Sequence, residues 1–188
     1  IGCTISRSDS VPSSSSEPLP AATPAPTPRT LMEGIAPMPI ASSYITYYAI
    51  QTDGTLIGWG ENLRGLINYP DSLPSYEGAV VMMEDVAAVY AGDWVTLILC
   101  SDGTLWGVGS GLFGLLPERA ASQDAYDPLF LMSDVVMAAV SSESACALRS
   151  DGTVWSWGGS EGFQPEQILE GIVKIAAYSS GHYALDID

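Results

Sequence analysis

Apolar residues along this chain come in short runs separated by small polar turns. Tyr47-Tyr48-Ala49-Ile50, Thr96-Leu97-Ile98-Leu99 and Ala145-Cys146-Ala147-Leu148 each precede a copy of one turn. The copies are Asp53-Gly54-Thr55, Asp102-Gly103-Thr104 and Asp151-Gly152-Thr153, spaced by 49 residues both times. A second landmark, Met83-Glu84-Asp85-Val86, recurs as Met132-Ser133-Asp134-Val135 and Leu169-Glu170-Gly171-Ile172. Asp-Gly between two apolar runs predicts a two-residue hairpin, because glycine supplies the positive φ such a turn demands. The flanking β-branched and aromatic residues suit strands.

This pattern predicts four strands per unit, named A to D. Strand A is expected at 35–40, 86–90, 135–139 and 172–177. Strand B is expected at 45–51, 95–100, 144–149 and 182–187, and strand C at 55–59, 104–108 and 153–157. Strand D is expected at 79–83, 128–132 and 165–169, with an orphan copy at 28–32. No stretch sustains a 3.6-residue period, which excludes a helical solenoid. Short strands with Gly-rich turns at this period predict an all-β fold. It is a partial β-propeller over 28–188, about three and a half four-stranded antiparallel blades. Asp188 falls where a fourth turn should begin, so the expectation is that the chain stops inside a repeat.

Residues 4–27 are different. Ser13-Ser14-Ser15-Ser16 and Pro18, Pro20, Pro24 and Pro26 predict a disordered Ser/Pro-rich tether, too poor in apolar area to offset its ordering entropy. Formal net charge is −16, from 22 acidic and 6 basic residues. Such a surface repels phosphate backbones, so nucleic acid and anionic membrane surfaces are not expected partners. Cys3, Cys100 and Cys146 form no CxxC pair, and one histidine, His182, completes no metal site with them. No metal and no cofactor is expected.

Two resemblances follow from these residues. Asp53-Gly54-Thr55-Leu56 followed by Trp59-Gly60-Glu61-Asn62-Leu63-Arg64-Gly65-Leu66 resembles the repeat of the regulator of chromosome condensation family. So does Asp85-Val86-Ala87-Ala88-Val89-Tyr90-Ala91-Gly92. The resemblance implies a propeller, usually of seven blades. Where that family often carries a strand B histidine, this chain has Thr46, Val95 and Ser144, with His182 one place off register. Residues 1–3, Ile1-Gly2-Cys3 ahead of the tether, resemble the tail of a bacterial lipoprotein signal. That implies acylation of Cys3 and display on the cell surface, anchored to the bacterial cytoplasmic membrane.

Asp53, Gly54, Asp102, Gly103, Asp151 and Gly152 read as structural turn residues, because every unit carries them. Trp59, Trp106, Trp155 and Trp157 read as packing between blades. Cys100 and Cys146 fall on opposite parity of strand B, so they face opposite ways, cannot bond to each other and read as buried thiols. If strands alternate up and down, the A–B and C–D loops share one face. All variation in repeat length sits in the C–D loop, and variable loops on a rigid scaffold carry binding. The candidate partner-binding face is Tyr44, Asp93, Trp94, Glu143, Phe113 and Tyr126, aromatics rimmed by acids.

The expected function is an extracellular, surface-tethered protein-interaction propeller without catalytic activity. Within that class lies an inhibitor-like role, by resemblance to a β-lactamase-inhibiting propeller of similar repeats. A second class is part of an enzyme or glycan-binding protein whose functional residues lie in other blades. A third is guanine-nucleotide exchange, which an extracellular address opposes. An open arc leaves strand edges unpaired. Residues 28–188 alone are therefore expected to be poorly stable or to self-associate; a monomer in sedimentation with one cooperative unfolding transition would overturn this.

Overall fold

The computed structural model describes residues 40–43, 45–62, 65–67, 75–118, 127–159, 162–178 and 181–186. They form three four-stranded antiparallel blades and a two-stranded start of a fourth. Blade one is β1 (Ile40–Ser43), β2 (Thr46–Ile50), β3 (Leu56–Glu61) and β4 (Ser75–Met83). Blade two is β5 (Val86–Ala91), β6 (Val95–Cys100), β7 (Leu105–Gly109) and β8 (Leu129–Met132). Blade three is β9 (Val135–Val140), β10 (Ser144–Arg149), β11 (Val154–Gly158) and β12 (Glu166–Leu169). β13 (Ile172–Tyr178) and β14 (Gly181–Asp186) make the last sheet.

Strands fall where the repeat places them, with corrections. In blade one the first strand is 40–43 rather than 35–40, because Ile40–Ser43 is the segment that pairs with β2. Residues 35–39 and the orphan strand at 28–32 lie outside the described residues, as do the tether and Cys3. The hairpins are three-residue loops, not two. Gln51 N–H donates to Thr55 O (2.8 Å), which leaves Thr52, Asp53 and Gly54 in the loop. The glycine completes the turn in the left-handed region, at φ +87° in Gly54, +82° in Gly103 and +83° in Gly152. A three-residue loop with glycine there matches the twist of the strands it joins.

Side-chain parity then builds the core. β6 is buried along its whole length. Val95, Leu97 and Leu99 point toward blade three and pack with Ala145, Ala147 and Trp157. Ile98 and Cys100 point the other way and pack with Tyr48, Leu56 and Met83 of blade one. Cys146 and Leu148 of β10 pack with Ile175 of β13. The hydrophobic core is thus a set of layers between blades. This is why each blade has two apolar faces and reads as short continuous apolar runs.

In the layer between blades one and two, buried hydroxyls of neighbouring blades bond to each other. Tyr48 is fully buried; its hydroxyl donates to Leu66 O (3.0 Å) and accepts from Thr96 Oγ1 of the next blade (2.8 Å). Burial drives its ionisation well above the usual tyrosine range, so it stays a neutral donor. Cys146 is a buried free thiol, pushed up to about 12 by desolvation. Cys100 faces the opposite layer, 3.7 Å from Met83 Sδ, and the two cysteines do not bond to each other. Cys100 is nevertheless disulfide-bonded, which corrects the expectation of a buried thiol there. Parity orients a cysteine within its sheet but cannot show a partner from elsewhere in the chain.

The Asp-Gly-Thr turn also joins blades. Gly54 O accepts from Val86 N–H (2.9 Å), Gly103 O from Val135 N–H (2.9 Å) and Gly152 O from Ile172 N–H (3.1 Å). Each acceptor is a hairpin of one blade and each donor opens strand A of the next. Gly103→Ala should therefore destabilise the protein by roughly 1–2 kcal/mol, the penalty of a Cβ in left-handed backbone. Urea unfolding monitored by tryptophan fluorescence would read this as a lower midpoint with an unchanged slope.

Candidate interaction face

The A–B loops are tight. Gly92 N–H donates to Val95 O (2.9 Å), so Asp93 and Trp94 alone span the turn of blade two. Ser141 N–H donates to Ser144 O (2.8 Å), which puts Ser142 and Glu143 at the matching tip of blade three. The two tips touch: Ser142 Oγ donates to Asp93 Oδ2 at 2.7 Å. Asp93 and Glu143 are exposed, and Trp94 is half-buried against the core between blades two and three.

The C–D loop of blade two brings Phe113 to Trp94, with ring centroids 5.9 Å apart and an edge-on angle of 63°. Trp157 of blade three locks that loop, its indole N–H donating to Leu115 O at 3.1 Å. Leu112 beside it is 52% exposed. The up-and-down topology thus places Asp93, Trp94, Phe113 and Glu143 on one end of the arc. Tyr44 and Tyr126, the other two residues expected on this face, lie outside the described residues.

The opposite end carries the repeat turns. Asp53 Oδ1, Asp102 Oδ1 and Asp151 Oδ1 each accept from the N–H of the following threonine, Thr55, Thr104 or Thr153, at 3.0 Å. The hydroxyls of Thr104 and Thr153 donate to the same oxygens at 2.6 Å. In turn Thr104 Oγ1 accepts from Trp106 Nε1 (3.0 Å) and Thr153 Oγ1 from Trp155 Nε1 (3.1 Å). These bonds hold the carboxyls of Asp53 and Asp151 below the usual aspartate range, chiefly through the Thr55 N–H and the Thr153 hydroxyl respectively. Such carboxylates are occupied turn formers. Trp157 packs between blades as expected, and Trp106 packs half-buried against the core between blades one and two. Trp59 stacks on Tyr47 at 5.9 Å and Trp155 lies 5.9 Å under Arg149, so these two are packed less deeply.

A groove of about 470 Å³ runs along the outer rim between blades two and three, lined by Phe130, Met132, Arg149, Trp155, Phe163 and Pro165. Its cation is committed, since Arg149 Nη2 donates to Asp134 Oδ2 at 2.8 Å. Among the described residues no group of His, Cys, Asp and Glu is arranged to hold a metal ion, and no helix is long and apolar enough to cross a membrane.

Sequence reasoning missed the contacts of His182. His182 Nε2 lies 3.1 Å from Ser144 Oγ, and its Nδ1 lies 3.4 Å from Ser156 Oγ. The residues come from neighbouring blades, and only the repeat register read across blades could have paired them. The imidazole pins β14 to β10 and β11.

Comparison with known proteins supports the architecture. No family model matches the sequence, and no curated protein matches it. Solved structures do. Human WBSCR16 superposes with a TM-score of 0.67 at 17% identity, over 79% of this chain and 44% of its own. Prp20p from Saccharomyces cerevisiae superposes with a TM-score of 0.59 at 18% identity, over 77% and 42%. Yeast RCC1 (Prp20) bound to Kap60 superposes with a TM-score of 0.59 at 20% identity, over 79% and 42%. The fold is that of an RCC1-like propeller, and the chain spans less than half the length of these proteins.

His182 supplies a pH prediction. Burial disfavours the imidazolium and lowers its pKa below the ordinary 6.5. The unfolded chain therefore binds the proton more readily, and the His182 contribution is complete above pH 6.5 and is lost as pH falls below it. Amide exchange of β13 and β14 should accelerate between pH 7.5 and 5 relative to β6, after correction for intrinsic rates. In His182→Gln that pH dependence should vanish.

Proposed function

We propose that this chain is a protein-interaction propeller that binds its partner through the Trp94–Phe113 face, with no catalysis of its own. The observation that carries this reading is the preorganised aromatic pair, packed on a rigid core and flanked by exposed carboxylates. Interfaces draw most of their energy from a few such aromatic anchors. The half-buried ring of Trp94 keeps contact area available at little entropic cost, since the scaffold already orders it. The superposing propellers point the same way: Prp20p from Saccharomyces cerevisiae has binding properties toward Gsp1p and histones, and yeast RCC1 (Prp20) is held by Kap60.

We also propose that the chain is displayed outside the cell, held to the bacterial cytoplasmic membrane through acylated Cys3. The support is the Ile1-Gly2-Cys3 start followed by a Ser/Pro-rich tether. A thioether at Cys3 excludes a disulfide at the same sulfur, and Cys146 is a free thiol, so in the acylated protein Cys100 has no cysteine of this chain left to bond and is a thiol too. Mass spectrometry of the N-terminal peptide from membrane fractions should show the lipid; a cross-linked Cys3 would overturn the anchor.

The binding role has a separate test. Immobilised full-length chain should recover a specific protein from cell-envelope or secreted fractions, and Trp94→Ala should weaken that partner at least about tenfold. Recovery of glycans alone, or an affinity unchanged in Trp94→Ala with folding intact, would overturn the assignment.

A further inference from the structure

Phe113 occupies a backbone conformation that its side chain opposes. Its φ is +60° and its ψ +22°, and Gly114 follows at φ +64°. Leu112 O accepts from Leu115 N–H across the pair at 3.4 Å. Two successive positive φ values under such a bond define a type I′ turn, whose central pair is best filled by Asn-Gly. The glycine is obligatory, because a Cβ on Gly114 would run into the Gly162 backbone of blade three. The first position is not so constrained, yet it holds phenylalanine. The other described non-glycine residues at positive φ are Asp85 and Asp134, a type that tolerates this region.

Burial does not explain the choice. Phe113 is 37% exposed and Leu112 more so, whereas Leu115 is fully buried and anchors the loop through Trp157. The turn holds an aromatic ring up beside Trp94 at a backbone penalty. Strain kept at an exposed position and over-determined by its surroundings marks a functional contact. Charge then selects the ligand. Asp93 and Glu143 flank the pair, and the described residues of these loops include no Lys or Arg. The whole chain is at −16. Aromatic faces and carboxylates together recognise a cation carried on an apolar stem.

We infer that Phe113 is the strained anchor of the interaction face, and that the partner segment it receives presents Lys or Arg among aliphatic residues. This rests on the reading that the face binds protein, and adds the chemistry of the bound segment and the residue that selects it.

The test uses the full chain in 0.15 M NaCl and a fluorescent 12-residue peptide of four Lys-Leu-Gly repeats. Glu-Leu-Gly and Lys-Ser-Gly peptides of the same length are the comparisons. The Lys-Leu-Gly peptide should bind at least about fivefold more tightly than either. Phe113→Asn should weaken it at least about fivefold, with a thermal midpoint unchanged or raised by up to about 4 °C, because Asn suits the turn. Ile168→Thr, on the outer strand of blade three, should leave the affinity alone. Equal binding by Phe113→Asn, or no binding of the Lys-Leu-Gly peptide, overturns the inference. A lowered midpoint in Phe113→Asn overturns it too, since the ring would then serve packing. Equal binding of the Glu-Leu-Gly peptide overturns the cation preference. In each case the Trp94-dependent capture of a protein partner decides the wider reading independently.

Discussion

The hydrogen bond from the first N–H of each inner strand to the glycine carbonyl of the preceding blade's hairpin holds the arc together. It recurs three times with nearly the same length, from Val86, Val135 and Ile172. Only a left-handed residue at the third loop position aims that carbonyl outward at the next blade. Glycine meets this at Gly54, Gly103 and Gly152, while the preceding aspartate ties the loop down by accepting from threonine. One three-residue loop thus closes a hairpin and sets the blade-to-blade spacing. The apolar layers of blades one to three are stacked between these fixed points.

That arrangement separates the two ends of the arc. At the hairpin end, side chains are committed to turn bonds and to the Arg149–Asp134 pair. At the other end, the A–B tips are tight and the C–D loop is held by Trp157, so Asp93, Trp94 and Phe113 are presented on an ordered frame. The division follows from topology. In an antiparallel blade B–C and D–A connections must emerge on one side, and A–B and C–D connections on the other. Binding can then vary with the C–D loops while the repeat turns stay constant.

The sequence comparisons and the structural ones differ for the same reason. Identities of 17–20% to the superposing propellers leave little beyond the turn and the apolar parity in common. Those features suffice to build the blade because they act locally. They say little about ligands, which depend on the loops.

Strand placement, blade count among the described residues, the opposed facing of Cys100 and Cys146, and the division into two loop faces were all legible in the sequence. Each depends on contacts within a single repeat, where residue spacing translates directly into parity and turn chemistry. The three-residue loop, the start of β1 at Ile40, the Tyr48–Thr96 bond, the disulfide state of Cys100 and the His182–Ser144 contact were not. Those depend on which residues meet across blades or far along the chain, at distances a repeat pattern does not encode. Phe113 sits at the boundary: its presence on the loop face was readable, but its left-handed backbone was not, in a turn where Gly162 crowds Gly114 and Trp157 bonds Leu115 from the neighbouring blade.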